Sequence, residues 1–67
     1  MAKIQLNGKK VTIKTKSTIY DLLKRFKLIN KRVAVEHNGK IIPKASYKKK
    51  YLKINDKLEI VHFIGGG

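Results

Sequence analysis

Apolar and polar residues alternate strictly at the start of the chain. Ile4 and Leu6 fall on one face, Asn7-Gly8 interrupts, and Val11 and Ile13 resume the alternation in the same phase. A period of two marks a half-buried strand. Asn-Gly between two such runs signals a hairpin, because both central turn residues must take positive φ. The pattern predicts a hairpin pairing Ala2–Leu6 with Lys9–Thr15. The period then changes. Ile19, Leu22, Leu23 and Phe26 stand at i, i+3, i+4 and i+7, one face of a helix running from Thr18 to Leu28. Thr18 can accept the free amide of Asp21, whose carboxylate suits the positive helix start. Lys24, Arg25 and Lys27 gather at the other end, where cations suit the dipole. The helix is short and its polar face evenly charged, so burial against a sheet is expected rather than membrane attachment.

Alternation returns over Arg32–His37, with Val33 and Val35 on one face. Asn38-Gly39 turns the chain into Lys40-Ile41-Ile42, and Pro43, which lacks a donor, stops the pairing. Lys44–Leu52 has no clean period. Tyr47, Tyr51 and Leu52 are expected to anchor it, with Lys48-Lys49-Lys50 solvated. Asn55-Asp56 then turns into a strand over Leu58–Ile64 that is apolar on both faces, the habit of a central strand. Leu58 and Ile60 should face the helix beside Ile4, Leu6, Val35, Leu22, Leu23 and Phe26. Val61 and Phe63 should either emerge on the open face or bury under the Lys44–Leu52 segment. His62 reads as an ordinary strand residue and His37 as a solvated turn residue. Two strands, a helix and three strands, with a right-handed crossover through the helix, set the last strand beside the first. That arrangement is an α+β fold, the ubiquitin-like β-grasp: a mixed four- to five-stranded sheet with one main helix packed on one face.

With 67 residues there is room for one domain, and a chain so short buries only about 60% of its unfolded surface. The expected division is a β-grasp domain over 1–64 and a flexible C-terminal glycine tail over 65–67. Cysteine is absent, which excludes disulfides, thiol nucleophiles, zinc knuckles and a persulfide held on a side chain. The two histidines and four acids are too scattered for a local metal motif, so no metal site is expected. No apolar run approaches the roughly 20 residues of a membrane span, and the N-terminus carries no apolar signal segment. The expectation is a soluble monomer of the cytoplasm, or of a plastid stroma once a transit peptide is gone.

The net charge of +13 invites a polyanion reading. Lys occurs 15 times against two Arg, however, and Ile nine times, as A/T-rich codons would dictate without any polyanion partner. Base-edge readers also favour the planar fork of Arg. Codon bias is therefore the preferred explanation, and no nucleic-acid partner is expected.

The candidate for chemistry is Gly65-Gly66-Gly67, expected to be launched directly from the strongest strand. Three extended residues reach at most about 10 Å, and without Cβ atoms they can thread a narrow cleft. The terminal α-carboxylate, with a reference pKa of about 3.5, is ionised and unreactive at neutral pH. Adenylation would make it electrophilic. Nothing in this chain can catalyse that step, since no glycine-rich phosphate loop precedes a helix and no base adjoins a nucleophile. The protein is thus expected to be a substrate or carrier with no catalytic residues of its own. On the residues alone, a functional terminus and a frayed end both stand.

Leu6-Asn7-Gly8-Lys9, Thr18-Ile19-Tyr20-Asp21-Leu22-Leu23, Val33-Ala34-Val35-Glu36 and Asn38-Gly39-Lys40-Ile41-Ile42-Pro43 with Tyr47 are followed by Asn55–Gly67, which ends in diglycine. In this order and spacing the chain resembles, along its whole length, the ThiS family of thiamine-pathway sulfur carriers. It departs at Asn55, where the family commonly has Gly, and in its higher positive charge. The resemblance implies that a ThiF-type adenylating enzyme uses ATP and magnesium to convert the Gly67 carboxylate to an acyl-adenylate. A persulfide sulfur donor then replaces the AMP and leaves a thiocarboxylate, whose sulfur passes to thiazole synthase. No cofactor is bound by the carrier itself, and Val61, Phe63 and Ile64 are expected to dock the partner. Three alternatives share the fold: a molybdopterin-type sulfur carrier, a basic RNA-binding module, and a modifier joined to lysines.

Overall fold

The computed structural model describes residues 1–62. Strands β1 (Ala2–Leu6) and β2 (Lys9–Ile13) form the first hairpin, paired from Ala2 opposite Ile13 to Leu6 opposite Lys9. Asn7 and Gly8 both take positive φ, 48° and 82°, as a turn of this handedness requires. The second hairpin joins β3 (Val33–His37) to β4 (Lys40–Ile42) through Asn38 and Gly39 at φ 51° and 87°. Strand β5 (Lys57–His62) lies in the middle of the order β2-β1-β5-β3-β4, parallel to β1 and antiparallel to β3. The predicted mixed sheet of four to five strands is present with five, its last strand central and beside the first.

Helix α1 spans Ile19–Arg25, shorter at both ends than the expected Thr18 to Leu28. Thr18 is the residue that caps it. Its hydroxyl accepts the Asp21 amide at 3.1 Å, and the Asp21 carboxylate accepts the Thr18 amide at 2.9 Å. At the far end Lys27 turns left-handed at φ 60°, and the amides of Lys27 and Leu28 donate back to the carbonyls of Lys24 and Leu23 at 3.1 and 2.8 Å. That paired closure ends the helix three residues before the expected Leu28 and folds Leu28 back onto the core. Phe26, expected inside, sits at the cap itself and is 41% exposed, its place beside the core taken by Leu28 and Ile29.

The segment without a period also finds an account. After Pro43 it makes one 3₁₀ turn (Lys44–Ser46), then runs past the start of α1. The carbonyls of Lys50 and Tyr47 accept the amides of Ile19 and Tyr20 at 3.0 and 3.1 Å, and Leu52 donates to Ser17 at 2.7 Å. Helix starts leave amides with no internal partner, and here a second chain segment meets them. Tyr47 and Leu52 are buried as expected. Tyr51 is not: bridged to Thr18, it is 56% exposed.

Beneath α1 the core comprises Ile4, Ile13, Val35, Leu58 and Ile60 from the sheet, Ile19, Leu22 and Leu23 from the helix, and Tyr47 and Leu52. Leu6 packs against it, half-buried. Each fully buried aliphatic side chain contributes about 1.5–3 kcal/mol, so this one cluster holds the domain together. Boundaries otherwise shift modestly. Strand β2 stops at Ile13, not Thr15, because Lys16 turns to φ 69° and Ser17 bonds back to the Lys14 carbonyl. Strand β3 begins at Val33 rather than Arg32, and β5 begins at Lys57 rather than Leu58. The expected continuation of β5 to Ile64, and the division at residue 64, lie outside the described residues.

Candidate functional site: the outgoing end of the central strand

The site is built on β5. On one side it pairs with β3 over five positions, from Val33 opposite His62 to His37 opposite Leu58. On the other it pairs with β1 at only two, Gln5 with Lys57 and Leu6 with Leu58. Beyond Leu6 the chain turns at Asn7, and the Asn7 side chain takes over. Its Oδ1 accepts the Ile60 amide at 2.7 Å and its Nδ2 donates to the Ile60 carbonyl at 3.2 Å.

At the opposite end of β5, Asn38 acts similarly. Its Oδ1 accepts the Lys57 amide at 2.8 Å, while its Nδ2 donates to Asp56 Oδ1 at 3.1 Å. Asp56 Oδ2 accepts from His37 Nε2 at 2.7 Å and from the Lys53 amide at 2.8 Å. Burial alone would push the Asp56 carboxyl up. The hydrogen bonds from His37, Lys53 and Asn38, with the charge of a protonated His37, outweigh it and hold the group below its ordinary value. His37 is therefore no solvated turn residue: its side chain is only 11% exposed because Asp56 draws it in. Sequence reasoning missed these roles of Asn7, Asn38, His37 and Asp56. The Asn-Gly pairs were the available signal, read for backbone conformation and not for what their side chains reach.

Of the predicted docking residues, Val61 is placed as expected. It follows buried Ile60 in the strand alternation, points away from α1 and is 60% exposed. Ala34 lies opposite it on β3, and Ile41, 68% exposed on β4, pairs with Glu36 on the same face. Phe63, Ile64, Gly65, Gly66 and Gly67 lie outside the described residues. His62 is an exposed strand residue. Glu36 and Glu59, directly opposite each other, share the open face with Val61. The other two acids are engaged, Asp21 in the helix cap and Asp56 with His37. Among the described residues no three His, Asp or Glu side chains converge as a metal site, and no helix is long and apolar enough to cross a membrane.

Within the described residues the central strand is held on both edges and exposes Val61, four positions before the three glycines of the sequence. The ThiS family model matches residues 4–67. The chain belongs to the ThiS family. It is 51% identical over 65 residues to the sulfur carrier protein ThiS of Bacillus subtilis, covering 96% of this chain and 98% of that one. It is 42% identical to a thiazole synthase of Paramagnetospirillum magneticum over 97% of its own length, but spans only 20% of that protein. The crystal structure of the thiamine biosynthesis protein ThiS from Geobacter metallireducens superposes with a TM-score of 0.83 at 28% identity, covering 97% of this chain and 99% of that one. The β-grasp fold is thus shared with a solved family member.

Proposed function

We propose that this protein is a sulfur carrier of thiamine biosynthesis, a substrate of enzymes and not itself one, whose Gly67 carboxylate bears the sulfur. The observation that carries the reading is the near-full-length likeness to Bacillus ThiS in a chain whose central strand leads into the glycine tail. In this reading the Gly67 carboxylate attacks the α-phosphate of ATP, held with magnesium by a ThiF-type adenylating enzyme, and pyrophosphate leaves. The sulfur of a persulfide donor then expels AMP, and a thiol supplies the two electrons that part the S–S bond and leave the thiocarboxylate. Thiazole synthase receives that sulfur, a link supported by the domain related to this chain within the thiazole synthase of P. magneticum. The carrier itself holds neither nucleotide nor metal, and it works as a cytoplasmic monomer.

The chain's own contribution is presentation. Glycine leaves the acyl carbon uncrowded, Gly65 and Gly66 let the terminus enter a narrow cleft, and β5, paired with β1 and β3, precedes them in the sequence. Val61, exposed on the open sheet face, forms with Phe63 and Ile64 the anchor for the activating enzyme.

The test is mass spectrometry of the protein after incubation with the adenylating enzyme, ATP and a persulfide donor. Sulfur replacing oxygen within the C-terminal peptide is the expected result. Localisation is essential, because oxidation of Met1 adds nearly the same mass. No sulfur gain at the terminus, or a gain that feeds only a molybdopterin synthase and not thiazole synthase, would overturn the proposal.

A further inference from the structure

Strand β1 deserts β5 halfway. The parallel ladder ends at Leu6 opposite Leu58, where the hairpin turn takes the chain away, yet β5 runs on through Glu59–His62. The edge so vacated is met by the Asn7 side chain. A carboxamide has the donor and acceptor of a peptide group, and that of Asn7 engages both backbone groups of Ile60, at 2.7 and 3.2 Å, while its own amide donates to the Leu58 carbonyl at 2.9 Å. The ladder is thereby extended to Ile60 without a strand.

Two demands meet at this position. The turn requires positive φ, and Asn7 takes 48°, a conformation that Asn tolerates better than most residues. The clamp requires one donor and one acceptor on a short stem. Gly satisfies only the first demand, and Asp supplies the acceptor but no donor.

We propose that Asn7 is a positioning residue for the chain's terminus. By holding Ile60 it sets the direction in which β5 presents Val61 to the activating enzyme, an inference that rests on the function proposed above. Ile60 immediately precedes Val61 and lies seven residues before Gly67. A strand tied along one edge only can twist and fray about that edge, and the displacement passes directly to the docking face. The clamp at Ile60 removes that freedom before binding, so the enzyme has less to order when it takes the tail.

The molecule contains its own control. Asn38 occupies the equivalent place in the second hairpin at φ 51°, and its Oδ1 accepts the Lys57 amide at the opposite end of β5 from Val61 and His62. Asn7→Gly and Asn38→Gly each keep the turn conformation and remove one clamp. Both full-length variants are compared with the parent in steady-state adenylation, read as pyrophosphate release by the activating enzyme, and in amide hydrogen exchange. Asn7→Gly is expected to raise KM for the carrier about tenfold with kcat within about twofold, the pattern of lost binding rather than lost chemistry. Amide exchange at Val61 and His62 should accelerate in the same variant. Asn38→Gly, although it also loosens the sheet, should leave KM and exchange at Val61 and His62 unchanged. Parent-like KM in Asn7→Gly, or an equal rise in both variants, would overturn the proposal. If the parent is not adenylated at all, the functional reading fails instead. Hydrogen exchange then still decides the clamp: equal protection of Val61 and His62 in parent and Asn7→Gly refutes it.

Discussion

Replacing Asp56 by Asn tests the polar cluster that anchors the start of the central strand. Asp56 is 8% exposed, and its two oxygens accept three hydrogen bonds, from His37, Lys53 and Asn38. A carboxamide has one oxygen and brings an NH₂ of its own, so in Asp56→Asn at least one part-buried donor is left facing another. A buried unmatched donor costs about 1–3 kcal/mol, and loss of the charge weakens the bonds that survive, for an expected total of about 2–3 kcal/mol. Domains of this length are stable by only about 3–10 kcal/mol. With a urea dependence of about 1 kcal/mol per molar, the midpoint at pH 7 should fall by about 2–3 M. The sign of the pH dependence follows from the lowered carboxyl. Its stabilisation is fully present above the unfolded-state value, near the ordinary 3.8, and is lost as pH falls through the lower folded-state value. The gap between parent and variant should therefore narrow as the parent's own carboxylate protonates. The assay is urea unfolding by far-UV circular dichroism at pH 7 and pH 3. Coincident midpoints at pH 7, or a gap that stays constant down to pH 3, would refute the reasoning.

Thr18→Ala removes the hydroxyl that accepts the Asp21 amide and should cost about 1 kcal/mol, read as a lower thermal midpoint. Lys27→Gly should stabilise by about 0.5–1 kcal/mol, because Lys27 holds a left-handed φ of 60° that costs an ordinary residue about 1–2 kcal/mol and glycine far less, partly offset by the freedom glycine adds to the unfolded chain. An unchanged or lower unfolding midpoint would show that the closure is not strained. Gly67→Ala should slow adenylation by crowding the acyl carbon and leave the unfolding midpoint unchanged. Equal adenylation rates for the two proteins would count against the proposed role of the terminus.

Strands and turns were legible because each advertises itself locally. Ile4, Leu6, Val11 and Ile13 keep one phase across Asn7-Gly8, and the structure pairs them as that phase demands. The helix start was equally plain, since Thr18 and Asp21 satisfy each other within four residues. The helix end was not. Phe26 has the right spacing for the core, but spacing assumes that the helix continues, and the left-handed turn at Lys27 ended it. Nothing about a lysine announces that conformation. The error at Tyr51 had the same origin: in a segment without a period, only the backbone bonds to the helix start decide which side chains point inward.

What the sequence determined by itself is whatever depends on neighbours along the chain: alternation, the conformational needs of Asn-Gly, the cap at Thr18, and the glycine tail together with the family resemblance it completes. What only the tertiary structure decided is whatever depends on neighbours across the sheet. Asn7 and Ile60 are 53 residues apart, and His37 and Asp56 are 19 apart. The same side chains read as turn residues become clamps on β5 once that strand lies between β1 and β3. Hydrogen bonds act over about 3 Å, so a partner that distant in sequence has no influence until the sheet is assembled.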